Sequence, residues 1–263
     1  MTTAHPAALG KVCVLVPTYN ERETLPALLH ALHAQVDAVD LDVLVIDDDS
    51  PDGTGELAEQ VAARDPAVRV LHRSGKHGLG RAYLAGFAWA RAQGYDTVVQ
   101  MDADGSHQPV ELPSLLRAAR DADVVIGSRW VPGGSVRNWP WHRRALSVGG
   151  NLYTRLLLGI PVRDSTAGFR VYRMTALAVM GLEDVASQGY CFQVDLTLRA
   201  IDSGLCVTEV PIEFVEREVG ASKMGGDIVR EALLRVTWWG VQRRRRQVTD
   251  RLTREVSWHR ATE

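Results

Sequence analysis

The first half of the chain alternates short apolar runs with segments of helical periodicity. The runs are rich in β-branched residues, and each ends at a proline, an aspartate or a glycine, which is typical of buried parallel strands. Between the first two runs, leucines from Leu25 to Leu32 follow the i, i+3, i+4, i+7 spacing of a helix face. The pattern predicts βαβ units with right-handed crossovers. The predicted strands are 12–16, 43–47, 68–71, 97–102 and 123–127.

The second half is less regular and is predicted to extend the same sheet. Proline and glycine punctuation predicts a loop at 132–140, followed by a helix over 143–158. A strand near 169–173, a helix at 192–203 and a strand around 207–215 complete the pattern.

One domain is the simpler interpretation of this organisation, because neither an internal repeat nor a low-complexity linker occurs in the 263 residues. We expect an α/β fold over 11–230, with a mostly parallel central sheet and flanking helices. Residues 1–10 are predicted to be a flexible N-terminus, and 231–263 an amphipathic, basic C-terminal segment.

Charge is distributed unevenly along a chain of ordinary globular composition. The net charge is −2 and 46% of the residues are hydrophobic, which excludes disorder or a dedicated nucleic-acid coat for the whole chain. Residues 235–260 hold eight arginines against Asp250 and Glu255, net +6, so the remainder is net −8. We therefore expect the C-terminal segment and the body to have different electrostatic partners.

The cysteines and the apolar stretches indicate a cytoplasmic protein. Cys13, Cys191 and Cys206 are odd in number and lack metal-ligand spacing, so neither a disulfide framework nor a zinc site is expected. Residues 1–10 do not have the features of a secretory signal. The longest apolar stretch, 145–162, is interrupted by polar residues, so any membrane association is expected to be peripheral.

A D-x-D pair, Asp102 and Asp104, closes the fourth predicted strand. Ligand crevices of open α/β sheets lie beyond the carboxyl ends of the strands, and carboxylates are the ligands that Mg²⁺ or Mn²⁺ uses when it bridges phosphates. The pair is therefore a candidate metal site. The alternative is a turn in which the aspartates cap backbone amides.

Two further motifs fall at the same edge of the predicted sheet. Asp47, Asp48 and Asp49 close the second strand, where a ligand or turn amides would relieve their mutual repulsion. Residues 75–80, GKHGLG, open a helix, and their glycines and Lys76 would suit a diphosphate or a sugar. Neither a P-loop nor a G-x-G-x-x-G motif is present, which disfavours ATP and dinucleotides.

Basic residues gather after the fifth predicted strand. Arg129 follows that strand, and Arg143 and Ser147 lie one helical turn apart, with Arg144 beside them. The planar guanidinium group matches phosphate oxygens. A solvated basic face is the alternative.

These motifs, taken in order, resemble those of the polyprenol-phosphate (dolichol-phosphate) mannose synthases, inverting glycosyltransferases of the GT-A fold. The resemblance covers roughly residues 11–225. It rests on Pro17-Thr-Tyr-Asn-Glu21, Asp47-Asp-Asp-Ser-Pro-Asp-Gly-Thr54, Lys76-His-Gly-Leu-Gly80, Asp102-Ala-Asp104, Gly127-Ser-Arg129, Asp164-Ser-Thr-Ala-Gly-Phe169 and Tyr190-Cys-Phe-Gln193.

The resemblance implies mannose transfer from GDP-mannose to a polyprenyl phosphate, with Mg²⁺ or Mn²⁺ as cofactor and no nucleic acid as partner. It implies that Asp102, Asp104 and Arg129 are catalytic and that Asp102, Asp104 and Ser106 hold the metal. It implies donor contacts from Pro17, Tyr19, Glu21, Asp48, Lys76, Gly80, Asp102, Ala103 and Asp104, and acceptor-phosphate contacts from Arg129, Arg143, Ser147 and Lys223.

Three positions depart from the family pattern. Ser106 stands where some members have a glutamine, so the third protein contact of the metal is the least secure of the implied ligands. Asp195 stands where glutamate is expected, and Ala167 replaces a serine often found there. None of the three changes removes a group that the implied chemistry requires.

Other functions remain open on the sequence alone. The same fold could use another sugar nucleotide, such as UDP-glucose, or it could be a non-catalytic nucleotide-binding module. A nucleic-acid-binding module that uses the arginine-rich tail is disfavoured by the acidic body.

The C-terminal segment is a candidate for contact with the lipid bilayer. Trp238 and Trp239 precede four consecutive arginines, and tryptophan and arginine both favour the surface of an anionic leaflet. We expect peripheral attachment at the cytoplasmic face, with or without a separate membrane-anchoring subunit. The alternative is a packed terminal helix with a solvated basic end.

Overall fold

A computed structural model describes residues 8–35, 41–185, 190–216 and 232–245. The strands are β1 Val12–Thr18, β2 Leu41–Asp47, β3 Val68–His72, β4 Thr97–Gln100, β5 Val124–Ser128, β6 Ser135–Arg137, β7 Arg170–Arg173, β8 Val207–Pro211 and β9 Glu213–Val215. The α-helices are α1 Leu25–His33, α2 Thr54–Ala62, α3 Leu79–Ala92, α4 Leu112–Ala118, α5 Trp141–Leu158, α6 Met174–Val179 and α7 Tyr190–Asp202, and a further helix, α8, covers 232–245.

The main sheet has seven strands in the order β3-β2-β1-β4-β7-β5-β8. The predicted strands and the mostly parallel sheet are confirmed, with one exception to the parallel arrangement. β7 is antiparallel to both β4 and β5. The strand order runs outward from β1 to β3 and then returns to β4, so a topological switch point lies between β1 and β4, where α/β sheets bind ligands.

Alternate residues of the central strands feed two cores, one on each face of the sheet. In β1, Val14 belongs to one apolar cluster and Leu15 to the other, and both are fully buried. The first cluster includes leucines of α1 and α4, and the second includes Tyr83 and Phe87 of α3 and Phe192 of α7. The result is a helix–sheet–helix sandwich.

The region after β5 differs from the prediction in two places. The expected loop at 132–140 contains β6, and the strand expected over 207–215 is divided, with β8 in the main sheet and β9 paired to β6 in a separate two-stranded sheet. The division occurs at Ile212, which is buried, so the chain leaves the main sheet while its apolar side chain stays in the core.

Described residues that flank the predicted 11–230 domain pack against its core. Leu9 is buried in the core and its carbonyl accepts a hydrogen bond from Thr97, so the packed domain begins no later than Leu9. At the other end, Val236 of α8 joins a third apolar cluster with Leu158 and Val194. The described part of the C-terminal segment therefore packs against the domain.

Arg170 lies fully buried in β7, where its guanidinium group bonds to neutral groups of the described chain. Its guanidinium group donates to the carbonyl oxygens of Ser165, Ala167 and Gln193 and to the hydroxyls of Tyr172 and Thr197. Arg170 thus connects the 164–169 loop, which precedes β7, to helix α7.

We expect Arg170→Leu to lower the free energy of unfolding by about 2 kcal/mol or more, because it leaves the carbonyls of Ser165 and Ala167 without this donor and each costs about 1–3 kcal/mol. Urea denaturation followed by circular dichroism measures this. Arg117→Leu, at an exposed position of α4, is the matched control and should change stability by less than about 0.5 kcal/mol. Equal effects of the two substitutions would show that Arg170 does not hold the loop.

Candidate active site

The loops that follow β1 and β2 are joined by hydrogen bonds at the carboxyl edge of the sheet. The backbone N–H of Glu21 donates to the Thr54 hydroxyl at 3.0 Å, and that hydroxyl donates to Asp52 at 2.6 Å. Asp52 also accepts from the backbone of Arg22. Burial alone would raise the pKa of Asp52, but these hydrogen bonds from Thr54 and Arg22 lower it below its ordinary value. The predicted donor residues Pro17, Tyr19 and Glu21 lie on this rigid edge.

The three consecutive aspartates after β2 have different environments. Asp47 is buried and accepts from the hydroxyls of Thr18 and Ser50, so it holds the loop. Asp48 is also buried and pairs with Arg73. Burial raises the pKa of Asp48, and Arg73 only partly offsets this. Asp49 is exposed.

Lys76 and Tyr19, two predicted donor contacts from separate loops, meet in the structure. The Lys76 ammonium group lies 3.8 Å from the centroid of the Tyr19 ring, a cation–π contact. A third predicted residue, Gly80, opens α3, and a Cβ atom there would lie 2.8 Å from the Phe192 ring. Glycine at this position therefore allows α3 to pack closely on α7.

The D-x-D pair lies just beyond β4, beside the switch point. Tyr83 donates to Asp102 Oδ1 at 2.9 Å. Burial, followed by the charge of Asp102, raises the pKa of Tyr83 well above its ordinary value, so the phenol remains a donor. The backbone N–H of Asp102 donates to Nδ1 of His107 at 3.0 Å, and that imidazole stacks on Phe169. These contacts fix Asp102 from two sides.

The residues at this edge fit a divalent cation that is also held by a ligand. Asp104 Oδ1 accepts the backbone N–H of Ser106, whose own hydroxyl is buried without a hydrogen-bond partner in the described chain. Ala103 between the aspartates is buried. Within the described residues, no group of three or more acidic, histidine or cysteine side chains could hold a metal alone. Two carboxylates suit Mg²⁺ or Mn²⁺, which complete their coordination with phosphate oxygens and water.

Arg129, predicted to contact phosphate, forms a buried ion pair with Asp164. Its Nε and Nη2 donate to the two carboxylate oxygens, both at 2.7 Å, and its backbone N–H donates at 2.9 Å. Burial alone would raise the pKa of Asp164, but the charge and hydrogen bonds of Arg129 outweigh this and hold it below its ordinary value. Arg129 is therefore fixed in orientation and largely neutralised.

Arg143 is the more accessible of the two predicted phosphate contacts. It is 19% exposed and pairs with Glu216, which is 24% exposed. Both guanidinium groups lie near the ring of Trp139, at 5.5 Å from Arg129 and 4.2 Å from Arg143. Trp139 thus brings together two cations that are separated in the sequence.

A polar stripe along α5 connects these arginines to the 164–169 loop. Asn151 is buried and donates to the Ser147 carbonyl, to Asp164 and to Thr166. A cleft-like cavity that is partly open to solvent lies beside this stripe. The predicted acceptor residues Arg129, Arg143 and Ser147 line this cavity. Apolar side chains of α5, α7 and α8 line most of the rest, and further polar lining residues are Asn151, Thr154 and Thr166.

Sequence reasoning missed several residues of this site. Arg73 follows β3 as the aspartates follow β2, so its strand-end position was the available signal. Asn151 lies four residues after Ser147 and eight after Arg143, which is helical spacing for one polar face. The pairing of Arg129 with Asp164, 35 residues away, left no local signal. Lys223 lies outside the described residues.

A mostly parallel sheet with aspartates at its switch point and an arginine-lined cavity beside it is the arrangement expected of a glycosyltransferase of the GT-A fold. A model of glycosyl transferase family 2 matches residues 13–181. The chain belongs to this family.

Two similar curated proteins have named activities. A polyprenol monophosphomannose synthase from Mycolicibacterium smegmatis is 54% identical over 236 residues, which cover 89% of this chain and 88% of that protein. An undecaprenyl-phosphate mannosyltransferase from Micrococcus luteus is 55% identical over 235 residues, which cover 89% of this chain and 96% of that protein.

Solved structures agree with the fold. Glucosyl-3-phosphoglycerate synthase from Mycobacterium tuberculosis, in complex with Mn²⁺, UDP and glucosyl-3-phosphoglycerate, has a TM-score of 0.62 at 21% identity, covering 89% of this chain and 80% of that one. The same enzyme with Mg²⁺ and UDP also gives 0.62, at 20% identity, covering 89% and 79%. These likenesses show the fold alone.

We expect Asp164→Asn to destabilise the protein by about 3–5 kcal/mol at neutral pH, because it leaves Arg129 buried without a counter-charge. Glu213→Gln, which breaks the exposed pair with Arg137, should cost less than about 1 kcal/mol. Urea denaturation of both variants measures the difference.

The same substitution should change the response to acid. The pKa of Asp164 is lower in the folded chain than in the unfolded chain, so its stabilisation is complete above the unfolded-state value of about 3.9 and is lost as the pH falls through the folded-state value. The free energy of unfolding of Asp164→Asn should therefore fall less than that of the wild type across this pH interval. Parallel pH profiles would contradict the assignment.

Proposed function

We propose that this glycosyltransferase moves mannose from GDP-mannose to a polyprenyl phosphate, giving polyprenyl phosphomannose and GDP. The observation that carries the proposal is the identity of 54–55% to two proteins named for mannosyl transfer to polyprenyl phosphates, over 89% of this chain. The apolar cavity lined by Arg129 and Arg143 supports it, because a polyprenyl phosphate needs cations for one end and apolar surface for the other.

The donor would lie across the carboxyl ends of β1, β2 and β4. The loops carrying Tyr19 and Asp48 would hold the nucleoside, and the Lys76 ammonium group beside Tyr19 would approach the diphosphate. Asp102 and Asp104 would hold the divalent cation, with Ser106 as the weakest of the proposed ligands. Bound there, Mg²⁺ or Mn²⁺ would neutralise charge on the departing diphosphate. Tyr83 and His107 would keep Asp102 oriented for this.

The acceptor phosphate requires positively charged side chains around it rather than a general base. A phosphate monoester is largely ionised at neutral pH because its second pKa is about 6, so no side chain has to remove a proton from the nucleophile. In-line attack at the anomeric carbon then inverts its configuration. The remaining difficulty is to bring an anion up to an anionic donor, which basic side chains relieve.

Arg129 and Arg143 would contribute unequally to binding the acceptor phosphate. Exchanging Glu216 for phosphate at the partly exposed Arg143 leaves no fully buried charge unpaired, whereas displacing the buried Asp164 from Arg129 would. We infer that Arg143 binds the phosphate charge and that Arg129, held by Asp164, acts as a fixed neighbour. Ser147 lines the same cavity. Lys223 is proposed as an additional contact on the resemblance alone.

A lipid substrate requires that the enzyme act at a membrane surface. No helix in the described part of the chain is long and apolar enough to cross a bilayer. We propose peripheral attachment at the cytoplasmic leaflet, with a separate membrane-anchoring subunit as a further possible partner.

We expect Asp102→Ala and Asp104→Ala each to reduce turnover by about a hundredfold or more, because the diphosphate would leave without its counter-charge. Purified protein with labelled GDP-mannose and a short polyprenyl phosphate gives the rate. Asp121→Ala, an exposed aspartate before β5, is the control and should keep the wild-type rate. A chelator should stop the reaction, and added Mg²⁺ or Mn²⁺ should restore it. Folded Asp102 or Asp104 variants with wild-type turnover would refute the metal assignment.

Donor identity is tested by direct competition. GDP-mannose and UDP-glucose are compared at equal concentration on one polyprenyl phosphate, and the lipid product is then treated with mild acid, which should release the sugar. We expect turnover from GDP-mannose to exceed that from UDP-glucose. A reversed preference would overturn the proposed donor while leaving the glycosyltransferase assignment intact.

A further inference from the structure

Helix α5 turns its polar face toward the protein and its apolar face toward solvent. Its inner face carries the polar residues Ser147, Asn151 and Thr154, which bond to backbone groups and to the 164–169 loop. Its solvent face carries large apolar side chains at i, i+7, i+11 and i+15 from Trp141, the spacing of one helix face. A surface helix of a water-soluble domain normally has the opposite arrangement.

Helix α8 lies beside α5 and repeats this feature. Leu234, Trp238 and Val241 are exposed and spaced i, i+4, i+7. The two helices are in close contact, since a Cβ atom at Gly240 would lie 2.8 Å from Leu157 and Thr237 bonds to Tyr153 at 2.7 Å. We call the combined surface the outward apolar face; its members are Trp141, Val148, Leu152, Leu156, Leu234, Trp238 and Val241.

The charged side chains on the two helices themselves are all positive, and two of them pair with acidic residues elsewhere, Arg143 with Glu216 and Arg243 with Asp202. Residues 141–158 and 232–245 contain seven arginines and no aspartate or glutamate. Arg144, Arg155, Arg244 and Arg245 are exposed. Basic residues near an anionic leaflet contribute about 1 kcal/mol each, and tryptophan favours the interface between lipid and water. A second copy of this chain would bring the same exposed arginines against each other, so charge favours an anionic lipid surface over self-association.

The acceptor cavity lies between the same two helices. Leu146 and Tyr153 of α5 and Leu233 and Val236 of α8 line it, with Arg143 among the other lining residues. A lipid phosphate could therefore reach the arginines while its chain remained against apolar surface.

We propose that the outward apolar face lies on an anionic lipid leaflet, with α5 and α8 parallel to the membrane and the cavity between them opening toward the lipid. This deepens the proposed function and rests on it for the lipid acceptor. The face itself follows from the exposed side chains and the arginines.

Flotation with vesicles of phosphatidylcholine, with or without phosphatidylglycerol, tests the proposal in the absence of any donor or acceptor. The full chain should float with the anionic vesicles. The double substitution Leu152→Asp/Leu156→Asp should weaken this binding more than about tenfold, because it removes two apolar contacts and adds like charge. Val110→Asp/Val179→Asp changes two exposed apolar residues elsewhere by the same charge and should bind as wild type.

A solution assay separates this proposal from the proposed function. Both double variants should turn over GDP-mannose with a short, water-soluble prenyl phosphate at the wild-type rate, since none of the four residues lines the cavity. Equal vesicle binding by the two variants would overturn the membrane face, as would a wild-type dimer in lipid-free solution that Leu152→Asp/Leu156→Asp dissociates. Vesicle binding through this face without any mannosyl transfer would instead refute the proposed function alone.

Discussion

The buried ion pair between Asp164 and Arg129 is the interaction on which the proposed acceptor site depends. One carboxylate accepts three hydrogen bonds from Arg129 at the end of β5 and a further one from Asn151 of α5. The backbone N–H of Asp164 donates to Glu209 of β8. A charge in so buried a place is tolerated only with such complete pairing, so the sheet edge and α5 must keep one relative position.

The 164–169 loop carries this constraint to Asp102, one of the two aspartates proposed to hold the metal. Arg170 holds the carbonyls of Ser165 and Ala167, and Phe169 stacks on His107, the imidazole that accepts from the backbone of Asp102. A Cβ atom at Gly168 would lie 3.4 Å from an Asp102 carboxylate oxygen. The groups proposed for the two reacting anions are therefore positioned by a single short segment, which fixes their separation without direct contact between them.

Local sequence predicted most of the sheet and the placement of its motifs, because apolar runs and the residues that end them are local features. It did not predict that β7 is antiparallel, since the direction of pairing depends on partners far along the chain. The same limit applies to Arg129, which was expected to grip phosphate but whose carboxylate partner comes 35 residues later. Arg73 and Asn151 did have local signals, in strand-end position and in helical spacing. The metal and donor contacts remain predictions.

Helix α5 shows why periodicity alone cannot orient a helix. Its polar and apolar stripes are both regular, and a pattern in sequence does not state which of them faces the protein. The choice is made by Asp164 and Thr166, which offer Asn151 buried partners that water would otherwise supply, and an amide left unpaired there would be costly. Once the polar stripe is inside, Leu152 and Leu156 must face outward. The exposed apolar side chains are thus a consequence of building the proposed acceptor site from polar groups, and contact with a lipid surface would remove the free-energy cost of exposing them to water.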